Sequence, residues 1–511
     1  MDGISLILNG HATRDFRSFV NKSIVRAMSA SDYWCSAEYN SNNAWNIRGD
    51  GNFNNNNNKY NDFRVRAVAA LDEKEKVSIL EAYDDCCRNK KGSSQCVQFR
   101  VRPEQLLGLA LTIKERNYKP TVSETFVVTK PKKREIFAAS FVDRIVQHWI
   151  YLRINPLFEE RFRKVGDVSF NCRKGYGTLA ARQRVYDDMH HFGFADEMFV
   201  GKFDIHSFFM SIDLRILWDL LRQFIIEQYK GDDIETLLYL TEITVMHRPQ
   251  NDCIRKGNPG LWDDIPPSKS LFYKGSYKGM AIGNITSQIM CNFYMSFYDN
   301  WLLDRIRELG YEEPKRHYTR FVDDFIIHSM RKEHIVQLFK ESTVWLREHL
   351  ELELHQDKVY IQPQRHGVKF VGGVIMPGRM YIINRTVGAY FVMMNNTERL
   401  CRNLVLFGPD ADRLKKLQHY VSSLNSYGGF MVHGRTYNLQ KKALGDKHYF
   451  WRVLYTTKNL SVVKIRKKYK LTKYLSNGEE LLKREAAALY KRRWKRAYSH
   501  NQFRYRRTPR R

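Results

Sequence analysis

Three aspartates in this sequence are spaced for metal-assisted chemistry at phosphorus. Asp204 ends a strand-like run in KFDIHSFFMSID, and Asp323 and Asp324 stand side by side in RFVDDFIIHS. Carboxylates on two neighbouring strands hold two hard cations about 4 Å apart, an arrangement that serves in-line phosphoryl transfer. One ion lowers the pKa of an attacking hydroxyl, and the other neutralises a triphosphate and its leaving pyrophosphate. A bare Asp-Asp pair is ordinarily a turn with solvated acids. Here apolar residues flank the pair on both sides, where adjacent acids are destabilising unless something cationic binds.

The elements that would position these acids follow from periodicity. MFVGKFDIHSFF reads as a strand running into a turn, RILWDLLRQFIIEQY as a helix and NITSQIMCNFYMSFYDNWLLDRI as a long helix. HYTRFVDDFIIHS reads as a hairpin with the two aspartates near its tip. Upstream, residues 70–120 show helical spacing of apolar positions, and TFVVTKPKKREIFAA alternates as strand, turn, strand. Alternating strands and helices from about 195 to 375 imply an α+β sheet domain with helices packed on one side, and the pattern after about 376 is helical. Residues 1–30 read as an apolar start followed by a short amphipathic helix.

Composition narrows the partners. The formal net charge is +29, which concentrates polyanions near the chain and speeds their capture. The sequence has no run of 18 or more apolar residues and no basic segment ahead of the N-terminal apolar stretch, so neither a membrane span nor a signal peptide is expected. Eight scattered cysteines without a CxxC pair suit neither a zinc site nor a disulfide framework, and fit reduced thiols in a cytoplasmic protein.

Taken together, these runs resemble the motifs of prokaryotic reverse transcriptases, the group II intron-related RNA-directed DNA polymerases. Within that group they are most similar to the enzymes of diversity-generating retroelements. The resemblance runs from about 121 to 445. TKPKKREIFAASFVDRIVQHWI resembles the fingers hairpin and its following helix, and SFNCRKGYGTLAA the template-contacting segment. FDIHSFFMSID and FVDDF resemble the metal-binding motifs, GVKFVGG the primer grip, and LNSYGGFMVHGRTYNLQKKAL the thumb helices.

The resemblance implies a right-hand polymerase with fingers, a ferredoxin-like palm and a helical thumb. It divides the chain into an N-terminal segment (1–70), a helical region with fingers (71–200), a palm with a fingers insertion (201–375), a thumb (376–450) and a basic tail (451–511). It implies two Mg²⁺ ions on Asp204, Asp323 and the carbonyl of Ile205, with Asp324 as the second acid of the turn. Lys130 and Arg134 would clamp the triphosphate, while Lys132 and Lys133 equally fit a solvated turn. Phe209 stands where the family places its steric gate, although a core aromatic is the plainer reading of the ring alone. Lys358 matches a lysine that assists pyrophosphate departure. Arg173 and Lys174 fall in the template segment, and Gly367, Lys369 and Phe370 in the primer grip. Implied partners are template RNA, primer and cDNA, deoxynucleoside triphosphates and a small basic accessory protein. The implied setting is the cytoplasm of a bacterium or a prophage host, with no membrane association.

Two departures bear on subtype. Where intron enzymes read GxPQGxxxSP this chain reads GMAIGNITSQ, so Ile282 stands at the glutamine position and Gln288 at the proline. The GNxTSQ form is that of the diversity-generating group, with Ala281 in place of its usual proline. Residues 40–61 contain eleven asparagines, which bury little and read as a loop. The surrounding segment resembles the diversified region of retroelement variable proteins, as though a template repeat mutated at adenine overlapped this reading frame. A plain Asn/Gly loop is the alternative. The last 51 residues carry 18 Lys/Arg against 3 Glu, interleaved with Tyr469, Trp494, Tyr498 and Tyr505, which suits either single-stranded RNA or solvent. The implied function is copying of a template-repeat RNA for adenine-directed mutagenic retrohoming. The rivals are an antiphage-defence or intron-type reverse transcriptase, and a catalytically silent RNA-binding protein on a polymerase fold.

Overall fold

Residues 71–101, 104–129, 132–192, 198–434 and 436–471 are described in the computed structural model, with the backbone of three strands between 33 and 58. Those strands, β1 (Tyr33–Glu38), β2 (Asn43–Ile47) and β3 (Phe53–Asn58), form an antiparallel sheet in the order β1-β2-β3. This corrects the loop expected for the asparagine run, because Asn54 to Asn58 lie in β3, with Asn58 opposite Asn43. The loop reading weighed only what the side chains bury. A ladder is satisfied by backbone N–H and C=O groups, which asparagine carries like any other residue. The helix expected within 1–30, and Trp494, Tyr498 and Tyr505 of the basic tail, lie outside the described residues.

The chain divides into two units, one of residues 1–177 and 199–361, the other of 178–198 and 362–511. In the first, the helical spacing of 70–120 resolves into α1 (Glu73–Cys87), α2 (Ser94–Val101) and α3 (Glu104–Lys114). A capping box starts α1: the Asp72 carboxylate accepts from the Glu75 N–H at 2.8 Å, and the Glu75 carboxylate accepts from the Asp72 N–H at 2.9 Å. The strand-turn-strand run is the hairpin β4 (Ser123–Val128) and β5 (Arg134–Ala138), and α4 (Phe141–Val165) follows it. The segment α5 (Thr178–Phe192) belongs to the second unit.

The chain then returns to the first unit through β6 (Phe199–Asp204), α6 (Phe208–Ser211), α7 (Leu214–Gln228) and α8 (Ile234–Met246). A short strand, β7 (Cys253–Arg255), pairs parallel with β4, an addition that the sequence pattern did not announce. The long helix α9 (Ile285–Glu308) leads to β8 (Tyr318–Phe321), β9 (Asp324–Ser329), α10 (Lys332–Leu350) and β10 (Tyr360–Pro363). The sheet order is β10-β6-β9-β8. Taken in chain order its strands run 4-1-3-2 with helices between them, the ferredoxin-like arrangement.

Burial follows position in that sheet. Central β9 is covered on both faces, with Phe325 to Ser329 all buried. Phe203 of β6 stacks on Phe325 at 5.2 Å and on Phe339 of α10 at 5.6 Å. Ile335, Leu338, Leu346 and Leu350 recur at helical spacing on the buried face of α10. Buried residues lie all round α9, and Phe293 stacks on Phe158 of α4 at 4.6 Å.

The second unit opens with a meander of β11 (Val368–Phe370), β12 (Gly373–Met376) and β13 (Arg379–Ile382). It continues through α11 (Asn384–Leu406), α12 (Ala411–Met431), α13 (Tyr437–Leu444) and α14 (His448–Val453), and ends in the hairpin β14 (Leu454–Thr456) with β15 (Val463–Ile465). Its core gathers Tyr390, Met394, Leu414, Leu417, Leu424 and Phe450. The Arg182 guanidinium of α5 lies 4.2 Å from the Phe430 ring centroid within the same unit. Among the described residues no helix is long and apolar enough to cross a membrane.

One glycine decides how closely α10 approaches β6. A Cβ on Gly201 would lie 2.5 Å from Ile335 Cγ2 and 2.8 Å from the Phe203 ring, both fully buried. We therefore expect Gly201→Ala to destabilise the fold by about 1–3 kcal/mol, read as a lowered urea midpoint; an unchanged midpoint contradicts this packing.

Candidate active site

The three acids lie at one end of the sheet, where β6 ends and the β8–β9 hairpin turns. Phe321 pairs with Asp324, which leaves Val322 and Asp323 as a two-residue loop. On the other side of β9, Asp324 is the cross-strand partner of Asp204. Directly opposed residues on one sheet face have Cβ atoms about 4.5–5.5 Å apart. The Ile205 N–H donates to the Asp323 carbonyl at 3.2 Å, which ties the turn to the end of β6. Residues 353–358 close the far edge: the His206 N–H donates to the Glu353 carbonyl at 2.8 Å, and the His355 N–H to the Asp204 carbonyl at 2.8 Å. The backbone pairing thus places Asp204, Ile205, Asp323 and Asp324 side by side at this end of the sheet.

Two lysines answer these acids. Lys358 Nζ donates to Asp204 Oδ2 at 2.8 Å. Lys202, two residues before Asp204 on the same strand face, pairs with Asp324 Oδ2 at 3.0 Å. Burial raises the Asp323 carboxyl above its usual range and the Asp204 charge adds to the shift, against an opposing pull from Arg134 and Lys132. Asp324 is pushed up to about 7, first by burial; Lys202 pulls it down, and the charges of Asp323 and Asp204 raise it further. Its Oδ1 is buried and makes no hydrogen bond among the described residues.

Such a site favours a cation. Carboxylates pushed toward protonation by burial and by one another return to the ionised form when a divalent ion binds. Among the described residues no three His, Cys, Asp or Glu side chains converge as a ligand cluster.

A buried polar network underlies the turn. The Arg320 guanidinium, fully buried in β8, donates through Nε to Asp299 Oδ1 at 2.6 Å and through Nη2 to Asp299 Oδ2 at 2.5 Å. Tyr318 Oη donates to Asp299 Oδ1 at 2.7 Å, and Arg320 Nη2 also reaches Asn292 Oδ1 at 3.0 Å. Sequence reasoning missed Lys202, Asp299, Asn292 and Arg320. The available signal was a charged residue inside the strand YTRF and another on an otherwise apolar helix, since such residues are buried only when paired.

The remaining expected residues divide. Phe209 lies half-buried on α6, packed with Phe137, Met210, Leu271, Ala281 and Ile282 in one apolar cluster. Backbone bonds join its walls: the Met280 N–H donates to the Phe209 carbonyl at 2.7 Å and the Phe137 N–H to the Ile282 carbonyl at 2.8 Å. Gly283 adopts φ +132°, and a Cβ there would strike the Phe137 carbonyl oxygen at 2.6 Å. Arg134 is exposed at the start of β5, and Lys130 lies outside the described residues. Gln288 is exposed in the first turn of α9 and accepts from the Cys172 thiol at 3.6 Å.

Two residues have a different place from the one expected. Arg173 is buried: Nη2 donates to Asp167 Oδ1 at 2.6 Å, Nε to Glu159 Oε2 at 3.0 Å and Nη1 to the Ser169 carbonyl at 2.9 Å, with the guanidinium 3.9 Å from the Tyr176 ring centroid. It braces its own loop and has no face left for a template, whereas Lys174 beside it is exposed. Phe370 is 1% exposed in the buried register of β11, which leaves it no surface for nucleic acid. Gly367 is confined by the Ile375 carbonyl, 2.7 Å from where a Cβ would stand, and Lys369 is exposed. These three belong to the second unit.

Residues 119–375 match the family described as reverse transcriptase (RNA-dependent DNA polymerase). Among solved structures, the chain is similar to a Candida albicans telomerase in complex with a TWJ fragment of telomeric RNA, at 10% identity and TM-score 0.38, over 66% of this chain and 66% of that one. It is similar to an apo telomerase from Candida tropicalis truncated from its C-terminal domain, at 12% identity and TM-score 0.35, over 50% and 53%. It is similar also to the RNA-dependent RNA polymerase of a human picobirnavirus, at 11% identity and TM-score 0.34, over 65% and 60%. The chain thus spans about half to two thirds of the length of these structures. No curated protein matches its sequence.

The network under the turn makes a direct prediction. Asp299→Ala leaves the Arg320 guanidinium buried without its carboxylate. We expect a loss of about 3–5 kcal/mol in chemical denaturation, and a loss below about 1 kcal/mol, the scale of an exposed pair, would contradict the pairing.

Proposed function

This chain belongs to the reverse transcriptase (RNA-dependent DNA polymerase) family, and from that premise we propose that it joins deoxynucleoside 5′-triphosphates to a primer 3′-hydroxyl on an RNA template, releasing pyrophosphate. Its mixed fold is that of a right-hand polymerase. The observation that carries the reading is the meeting of acids, Asp204 opposite Asp324 across two strands with the Asp323 carbonyl bonded to the Ile205 N–H. Two Mg²⁺ ions at such a site supply a lowered pKa at the primer hydroxyl and neutralisation of the triphosphate.

The chain's own residues do the rest. Asp204 and Asp323, with the Ile205 carbonyl, hold the ions, and Asp324 stays paired with Lys202. Arg134, exposed and close enough for its charge to act on Asp323, clamps the triphosphate with Lys130. Lys358 exchanges Asp204 for the departing pyrophosphate. The Phe209 ring excludes a ribose 2′-hydroxyl, Gln288 lines the nucleotide site, and Lys174, Gly367 and Lys369 contact template and primer. A silent RNA-binding protein on the same fold would have no use for three acids held against their mutual repulsion. On primed RNA with Mg²⁺ we expect extension by the wild-type chain and a loss of about 10²- to 10³-fold or more in Asp323→Asn. Equal extension by both contradicts the site, and extension by neither returns the silent reading.

We further propose the diversity-generating type, in which a template-repeat RNA is copied with errors at adenines for retrohoming, with a small basic accessory protein as partner. The GMAIGNITSQ form supports this over an antiphage-defence or intron-type enzyme. Ile282 packs its side chain with the Phe209 cluster and offers no hydrogen bond with which to check a new base pair. Sequencing of cDNA made by Ile282→Gln should show several-fold fewer errors opposite adenine; an unchanged error spectrum counts against the subtype.

A further inference from the structure

The backbone of the catalytic turn is held in a conformation that its residue disfavours. Val322 has φ +61°, the left-handed region, where a β-branched side chain crowds the backbone. It is the residue immediately before Asp323, so any relaxation of its φ swings the next peptide and the Asp323 carboxylate with it.

Both peptide groups flanking Val322 are pinned. The Val322 N–H donates to Asn171 Oδ1 at 2.9 Å. The Val322 carbonyl, in the peptide that leads to Asp323, accepts from Arg320 Nη1 at 3.1 Å. The arginine is already fixed by Asp299, whereas Asn171 arrives from elsewhere in the chain. It ends an extended segment that runs beside β8: the Arg320 N–H donates to the Val168 carbonyl at 2.8 Å, and the Phe170 N–H donates to the Arg320 carbonyl at 3.0 Å. The Asn171 backbone is anchored in turn, its carbonyl accepting from Asn292 Nδ2 at 3.3 Å.

The amide oxygen is the group that meets the turn. Asn171 is 2% exposed, and its Nδ2 makes no hydrogen bond among the described residues. A buried amide costs stability unless it is hydrogen-bonded, and at its oxygen the bond from the Val322 N–H meets that need. The orientation is fixed, since only the oxygen accepts from the Val322 N–H.

We propose that Asn171 is a positioning residue that clamps the strained Val322 turn and so carries the Asp323 carboxylate to Asp204. This inference rests on the polymerase reading for its turnover measurement and is independent of it for metal binding. If the clamp works against strain, removing the strain makes it dispensable, because glycine adopts positive φ freely.

The test compares wild type, Asn171→Ala and the double variant Asn171→Ala/Val322→Gly by Mn²⁺ binding in electron paramagnetic resonance titration and by primer extension over a range of dNTP concentrations. We expect Asn171→Ala to weaken Mn²⁺ binding and to lower kcat by about tenfold or more, with KM for dNTP within about twofold of wild type. The double variant should recover most of both losses. Wild-type behaviour in Asn171→Ala overturns the proposal, as does a double variant no better than the single. If Asn171→Ala does not fold, recovery of folding and Mn²⁺ binding in the double variant supports the clamp, and failure of both overturns it. A wild-type chain that binds Mn²⁺ yet extends no primer overturns the polymerase reading alone, and one that binds none overturns the clamp with it.

Discussion

Like charges do not gather by themselves, and everything at this site depends on holding Asp204, Asp323 and Asp324 together against their repulsion. At effective dielectrics typical of protein sites, carboxylates a few ångströms apart repel by several kcal/mol. The fold opposes that with elements that cannot drift: a central strand buried on both faces, a two-residue hairpin loop, and a fully buried Arg320–Asp299 pair beneath it. Rigidity is the requirement, because a metal site that relaxes when empty must be rebuilt at each turnover.

The same constraint explains the cations around the acids. Lys358 on Asp204 and Lys202 on Asp324 each partly neutralise one carboxylate. Among the described residues no lysine pairs with Asp323, the acid of the strained turn, and Arg134 and Lys132 pull on it at longer range. The difference sorts the three acids by role. Lys358 is half exposed, on a short helical turn, and is free to exchange partners, whereas Lys202 is mostly buried on the rigid strand beside Asp324. In the proposed reading Asp324, held by Lys202, shapes the field of the site and Asp204 and Asp323 hold the ions.

Much of this was legible in the sequence, and the limits of legibility are physical. Asp204 and the Asp323–Asp324 pair announce themselves because acids among apolar residues need a reason. The hairpin, the long helix α9 and the β4–β5 pair follow from periodicity. Two failures share one cause: a motif fixes position along the chain but not which way a side chain points. Arg173 and Phe370 lie in segments read as nucleic-acid contacts, yet both are buried, the arginine paired with Glu159 and Asp167. Lys202, Asn171 and Asp299 were passed over because their partners are 122, 151 and 21 residues away in sequence, and only the folded sheet pairs them. The asparagine run was misread because burial was weighed and backbone pairing was not.

The central claim is that the strained turn delivers Asp323 to Asp204 as a shared metal site. Anomalous diffraction from crystals grown with Mn²⁺ and a non-hydrolysable dNTP analogue tests it most directly. The account predicts metal density bonded to the carboxylates of both Asp204 and Asp323, with Val322 still at positive φ. Metal bound elsewhere, or a turn relaxed to ordinary φ with the metal in place, would contradict it.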